Sequence, residues 1–297
     1  MGSPRSHLYV PGDREDVMSK AAARGADALI LDLEDAVVPA SKAAAREAVA
    51  AFLRGRPGGA AEPEIWVRIN PGEAAAADLE AVVLPGLAGV CLAKAETAAE
   101  VAAVAAALDD LERSRGIAAG TVAVSPLLES GAAVLRAAQI AAAPRVCRLQ
   151  VGEADLRADL GVELGPDERE LLWIRSQVVT VSAAAGLEPP VGPVSTDLRD
   201  LEALRVSTLA LKRLGYRSRA CIHPAQVAVV NDVFTPTVDE VRRAREIVAR
   251  FDAAAANASG VFTDAQGRMV DLAVVRTARR TLASAAHGEV ADPGHGS

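Results

Sequence analysis

The chain is short of cysteine, histidine, lysine and aromatic residues, and each shortage excludes a class of function. Its 297 residues include three cysteines, Cys91, Cys147 and Cys221, far apart inside apolar runs. That spacing reads as buried free thiols and supplies neither a disulfide framework nor a cysteine zinc site. The four histidines, His7, His223, His287 and His295, form no H-E-x-x-H pair, and there is no G-x-S-x-G elbow. Neither a G-x-G-x-x-G turn nor a Walker A run is present. Aromatics at 3% leave no stacking platform for bases, and a net charge of −7 disfavours a phosphate backbone, so nucleic acid is not an expected partner. No apolar run reaches the roughly 18 residues of a membrane span, and the first residues carry no apolar leader core. The expectation is a cytoplasmic protein without a membrane partner.

What the chain has is apolar residues at 51%, much of them Ala and Val, with charged residues at 24%. Short branched runs alternate with longer Ala/Leu/Arg/Glu stretches, which predicts βα units around a parallel sheet. Eight strands are predicted: His7–Gly12, Ala28–Asp35, Glu64–Asn70, Gly89–Glu96, Thr121–Ser130, Arg145–Asp155, Pro190–Thr196 and Arg219–His223. The seventh is interrupted by Pro190 and Pro193. Each strand is followed by a helical pattern, among them Ser41–Leu53, Ala98–Arg115, Gly131–Ala143 and, as the eighth, Val238–Ala256. Eight such units fit a TIM (β/α)8 barrel. The predicted organisation is a barrel over residues 1–256, a helical lid extension over 257–286 and a disordered tail over 287–297. A closed barrel has no core position for a ninth helix, which is left to pack outside, on a neighbouring subunit or over the barrel mouth.

In such a barrel, chemistry sits where strands end and βα loops begin. Charge gathers at those ends here, and a barrel built only for stability gains nothing by desolvating it there. Strand 2 ends in Asp32, Glu34 and Asp35, strand 3 carries Arg68, strand 4 ends at Lys94, strand 5 at Glu129, strand 6 at Asp155 and strand 8 at His223. Glu129 and Asp155 lie on adjacent strands, where two carboxylates either converge on a hard cation such as Mg2+ or stabilise helix N-termini. Arg68 either binds a substrate carboxylate and a developing enolate oxygen or pairs with the acids of strand 2. Asp32, Glu34 and Asp35 either hold metal-bound water or orient Arg68. Lys94 is one of four lysines, and at a strand end it serves a Schiff base or balances charge among carboxylates. His223 either donates to a substrate or is a satisfied structural histidine. Asp271, before the last helical run, reads at face value as an N-cap.

Several stretches together resemble the citrate lyase β-subunit-like family of the HpcH/HpaI aldolase and citrate lyase superfamily. They are Arg5–Gly12, Asp32–Val37, Val67–Asn70, Lys94–Glu96 and Cys221–Gln226, in this order. The resemblance runs from about residue 5 to residue 285. It implies a TIM barrel, a homotrimer or hexamer, and an Mg2+-dependent lyase cleaving malyl-, citramalyl- or citryl-coenzyme A to acetyl-coenzyme A and an oxo acid. It also implies Glu129 and Asp155 as Mg2+ ligands, Arg68 as the enolate-binding arginine, and Asp271 as an acid or base carried by a lid to a neighbour's barrel. Arg14 and Lys42 fall at charged positions that the resemblance places near coenzyme A phosphates. Departures from the family pattern are Ala154 where an acid usually precedes the metal aspartate, Ala93 for a frequent proline, and Pro190-Val191-Gly192 where many members carry an aspartate. The other readings are a citrate lyase β subunit working on an acyl-carrier thioester, a Schiff-base aldolase through Lys94, and a thioester-binding subunit without catalysis.

Overall fold

A strand buried on both faces must be apolar along its whole length, and Ala28–Leu31 is so, each residue of it wholly buried. In the structure, a computed structural model describing residues 3–56, 62–255, 262–263 and 269–288, this run is the second of eight parallel strands. They are β1 (Ser6–Pro11), β2 (Ala28–Asp32), β3 (Glu64–Ile69) and β4 (Leu87–Leu92), then β5 (Ala123–Leu128), β6 (Gln150–Val151), β7 (Val191–Gly192) and β8 (Ser218–Cys221). Neighbours in sequence pair in parallel, and β8 returns to β1, closing the barrel.

The helices between the early strands are α1 (Glu15–Ala21), α2 (Lys42–Arg54), α3 (Ala74–Val82) and α4 (Ala98–Arg115). Those that follow are α5 (Gly131–Leu135), α6 (Ala137–Ala141), α7 (Glu153–Leu160), α8 (Leu172–Ala184), α9 (Leu201–Leu214) and α10 (Pro224–Phe234). The period of two sends Ile30, Trp66, Cys91 and Leu127 into one core cluster, with Tyr9 packed against it. The Trp66 ring lies over Gly89, where any Cβ would also come within 2.7 Å of Ala123 O, so only glycine fits beneath the indole. Arg148 stacks on the same ring at 4.9 Å and points Nη1 at His7 Nε2, 3.3 Å away. Burial, and then the Arg148 charge, hold His7 well below its ordinary pKa, so it meets the guanidinium as a neutral acceptor.

The structure amends several expectations. The sixth strand pairs over two residues in place of Arg145–Asp155, because Arg145 turns at φ 63° and α7 has begun by Glu153. The seventh is likewise two residues long, bounded by its prolines. Gly131–Ala143 is two short helices meeting at Arg136. The helix after β8 is α10, whereas Val238–Ala256, expected to be that helix, belongs to a second compact unit.

Contacts gather the chain into Pro4–Asp232 and a unit from Val233 onward. The second unit holds α11 (Val238–Ala255), β9 (Phe262–Thr263), β10 (Met269–Val270) and α12 (Leu272–Gly288), with α11 packed against α12 and β9 antiparallel to β10. Asp271 Oδ1 accepts the N–H groups of Ala273 (2.9 Å) and Val274 (3.1 Å), capping α12. Much of the expected turn-rich entry to the lid, residues 256–261 and 264–268, lies outside the described residues, as does 289–297 of the expected tail. Residues 287 and 288 close α12 and so are helical, not tail. Among the described residues no helix is long and apolar enough to cross a membrane.

Candidate active site

The carboxyl ends of the strands surround a cavity of about 310 Å³ lined by Asp32, Asp35, Arg68, Glu129 and Asp155, with Tyr9, Gln150 and Gly152. Arg68 and Asp32 face each other in the register of β2 and β3, and their side chains close a fork: Nε to Oδ1 at 2.7 Å and Nη2 to Oδ2 at 2.5 Å. The same two oxygens accept the N–H groups of Glu34 (2.9 Å) and Ala36 (3.2 Å). Asp32 thus accepts four hydrogen bonds and holds the guanidinium in place. Arg68 also lies over the Tyr9 ring at 5.1 Å. Burial opposes its charge, but Asp32, with Tyr9 and Glu34 adding, raises its pKa above the ordinary value.

Glu34 bridges two cations. Its Oε2 lies 3.2 Å from Arg68 Nη1, and its Oε1 accepts Lys94 Nζ. Lys94 Nζ also reaches Asp35 at 3.2 Å. Burial works against the ammonium, yet Glu34 and Asp35 outweigh it and hold its pKa above the usual lysine range. An amine bound in this way is a poor imine nucleophile, so the geometry favours charge balance over a Schiff base.

Glu129 directly follows β5 and is buried. Its Oε2 accepts the Lys94 backbone N–H at 2.7 Å. Gly152, which follows β6, leaves the space that the carboxyl group fills, since a Cβ there would sit 2.8 Å from Glu129 Cδ. Burial pushes the Glu129 pKa up to about 7, and the charges of Asp155 and Glu34 push the same way. Asp155 is half-buried in the first turn of α7. The two carboxylates thus share a cavity wall, and no third acidic, histidine or cysteine ligand joins them among the described residues. This donor set fits a hard divalent ion that keeps water and substrate oxygens in its other positions, and it does not fit zinc.

Three expected residues stand elsewhere. His223 is exposed at the start of α10, where Nδ1 accepts the Ala225 N–H at 3.2 Å, and it does not line the cavity. Lys42 donates to Leu33 O (2.8 Å), Glu34 O (2.7 Å) and Asn70 Oδ1 (2.7 Å). All three of its protons are taken inside the protein, so it braces the Asp32–Asp35 loop and has none left for a phosphate. Arg14 is exposed and forked to Asp16 at 3.0 Å. Asp271 belongs to the second unit and caps α12 there. Tyr9, Gln150 and Gly152 went unremarked in the sequence. The alternation that points Arg68 inward does the same for Tyr9, two residues from His7, and that signal was available.

The sequence matches the HpcH/HpaI aldolase/citrate lyase family over residues 5–224. It is 33% identical over 288 residues to the citrate lyase subunit beta of Leuconostoc mesenteroides subsp. cremoris, covering 95% of this chain and 94% of that protein. The L-malyl-CoA/beta-methylmalyl-CoA lyase of Cereibacter sphaeroides is 33% identical over 297 residues, covering 92% of each. The crystal structure of the CitE protein of Mycobacterium tuberculosis, in complex with magnesium, acetoacetate and coenzyme A, superposes with a TM-score of 0.74 at 33% identity, covering 96% of this chain and 98% of that one. With a closed eight-stranded barrel, charge at its carboxyl end and this coverage, the chain belongs to the HpcH/HpaI aldolase/citrate lyase family.

Proposed function

We propose that the chain is an Mg2+-dependent carbon–carbon lyase that cleaves or forms a 3-hydroxyacyl-coenzyme A thioester such as malyl-, citramalyl- or citryl-coenzyme A, with acetyl-coenzyme A and an oxo acid as the other pair. The observation that carries this is the placing of Glu129 and Asp155 beside Arg68 in one cavity. The lyase and the magnesium, acetoacetate and coenzyme A complex among its relatives support the same reading. Glu129 and Asp155 are the ligands we assign to the metal, which when bound supplies Lewis-acid polarisation of the oxo acid's oxygens.

Cleavage takes the proton from the substrate hydroxyl, turns that carbon into a carbonyl and leaves the bond's electron pair on the thioester as an enolate. Arg68, held in one orientation by Asp32, is placed to meet the enolate oxygen, a kind of contact worth roughly 10²–10³ in kcat. Asp271 is our candidate for the acid that then protonates the acetyl carbon, brought by the C-terminal segment of another subunit of a homo-oligomer, a trimer in its simplest form. Free coenzyme A thioesters are preferred to an acyl-carrier protein, and the cytoplasm is the assigned compartment.

The test is turnover of the three thioesters with Mg2+, with products identified by mass spectrometry. The expected result is acetyl-coenzyme A and glyoxylate, pyruvate or oxaloacetate, lost in EDTA and restored by Mg2+. Free coenzyme A and an intact hydroxy acid, or cleavage indifferent to EDTA, would overturn the reading.

A further inference from the structure

Lys94 is committed at both its backbone and its side chain. β4 ends at Leu92, after which the Ala93 N–H bonds back to Ile69 O at 3.3 Å and the Ala95 N–H forward to Leu127 O at 3.2 Å. The residue between them turns the chain, and it does so at φ 50°, a left-handed backbone that glycine adopts freely and residues with a Cβ seldom do. In this conformation the N–H meets Glu129 Oε2 at 2.7 Å while Nζ meets Glu34 and Asp35. Glu34 is 5% exposed, and its second oxygen receives Arg68 Nη1. Asp32 already fixes the Nε and Nη2 edge of that guanidinium, so Glu34 sets the remaining edge.

We propose that Lys94 is a positioning residue for the reaction above, and the inference rests on that reading: its ammonium, through Glu34, sets Arg68, and its left-handed N–H sets Glu129. Without the ammonium, Glu34 keeps the Asp35 N–H (2.8 Å) and the Arg68 guanidinium as partners, and its less compensated charge pulls harder on the guanidinium edge that Asp32 leaves free, weakening the hold on an enolate. The metal side is affected differently. The N–H survives any substitution except proline, and removing a cation near two acids does not weaken their hold on Mg2+. Loss of the ammonium therefore separates turnover from metal binding, whereas general damage to the site lowers both.

The test uses the full chain with Lys94→Met, Lys94→Arg, Lys94→Gly and Lys94→Ala. Three quantities are read: Mg2+ affinity by calorimetry, kcat and KM on the thioester the parent turns over, and the thermal midpoint. Lys94→Met should lose about tenfold or more in kcat, with KM and the Mg2+ Kd within about threefold of the parent. Lys94→Arg should recover part of kcat by restoring the cation. Lys94→Gly should melt above Lys94→Ala, since glycine alone escapes the left-handed penalty. Parental kcat in Lys94→Met, or Mg2+ affinity falling in step with kcat, overturns the positioning role. Alanine melting at or above glycine overturns its backbone half. A parent that binds Mg2+ but turns over no thioester defeats the functional reading, and with it the part of Lys94 in turnover, while the melting order, which needs no turnover, still judges the backbone half.

Discussion

At the scale of single residues, burial gives Glu129 a pKa of about 7, and a cation must displace its proton at any lower pH. Mg2+ affinity should therefore fall by about tenfold per pH unit below that value. The sign for stability is the opposite: in the metal-free protein the folded state holds a proton that the unfolded carboxyl, near 4.5, releases, so this group favours folding more as pH falls from 7 toward 4.5. Calorimetry at pH 6 and pH 8 checks the first; equal affinities would contradict this competition between proton and metal at Glu129. A second expectation concerns Gly152. Gly152→Ala drives a Cβ into the Glu129 carboxyl group and should weaken Mg2+ by about 10–100-fold with the barrel intact, read by calorimetry and circular dichroism. Arg68, Asp32, Glu34 and Asp35 were legible because strand-end charge is costly to desolvate without a use. His223 shows the same signature and spends it on the Ala225 N–H, a difference that the sequence does not display. Gly152 is silent in sequence, since its contribution is a side chain it lacks.

At the scale of elements, the long helices and fully apolar strands were readable, and the short ones were not. α4 spans Ala98–Arg115 as expected, fixed by a Thr97/Glu100 capping box. β6 and β7 pair over so few residues that pattern alone overextends them, and the Pro224–Phe234 helix is short and apolar enough to pass unnoticed. The entry to β5 depends on a single carboxylate. Glu112, buried at the end of α4, accepts the N–H groups of Gly120 (2.8 Å) and Val122 (2.7 Å) and pairs with Arg145 at 2.6 Å. The Arg145 bonds outweigh burial and lower its pKa to about 2, against an ordinary 4.5. Its contribution is complete above the unfolded value and is lost as pH falls from about 4.5 toward 2. Glu112→Gln should lower the thermal midpoint at pH 7 and flatten its decline across that acid window; a variant as acid-sensitive as the parent would remove Glu112 from this role.

At the scale of the molecule, eight βα repeats fixed the barrel because every unit must bury an apolar strand against an apolar helix face. The residue left over was a helix the barrel could not house, and the structure gives it a partner in α11 within a unit of its own. Asp271, half-buried, caps α12. If that unit serves a neighbour, mixing the inactive Asp271→Asn and Arg68→Ala proteins should restore part of the activity as subunits exchange. Exchange confirmed by mass spectrometry with no recovery would confine Asp271 to capping. The central claim, that Glu129 and Asp155 together hold the Mg2+ on which cleavage depends, is tested most directly by titrating Mg2+ into the parent and Asp155→Ala by calorimetry. The expected result is one site per chain in the parent and affinity at least about a hundredfold weaker in a variant that still folds; equal affinity in the two would contradict it.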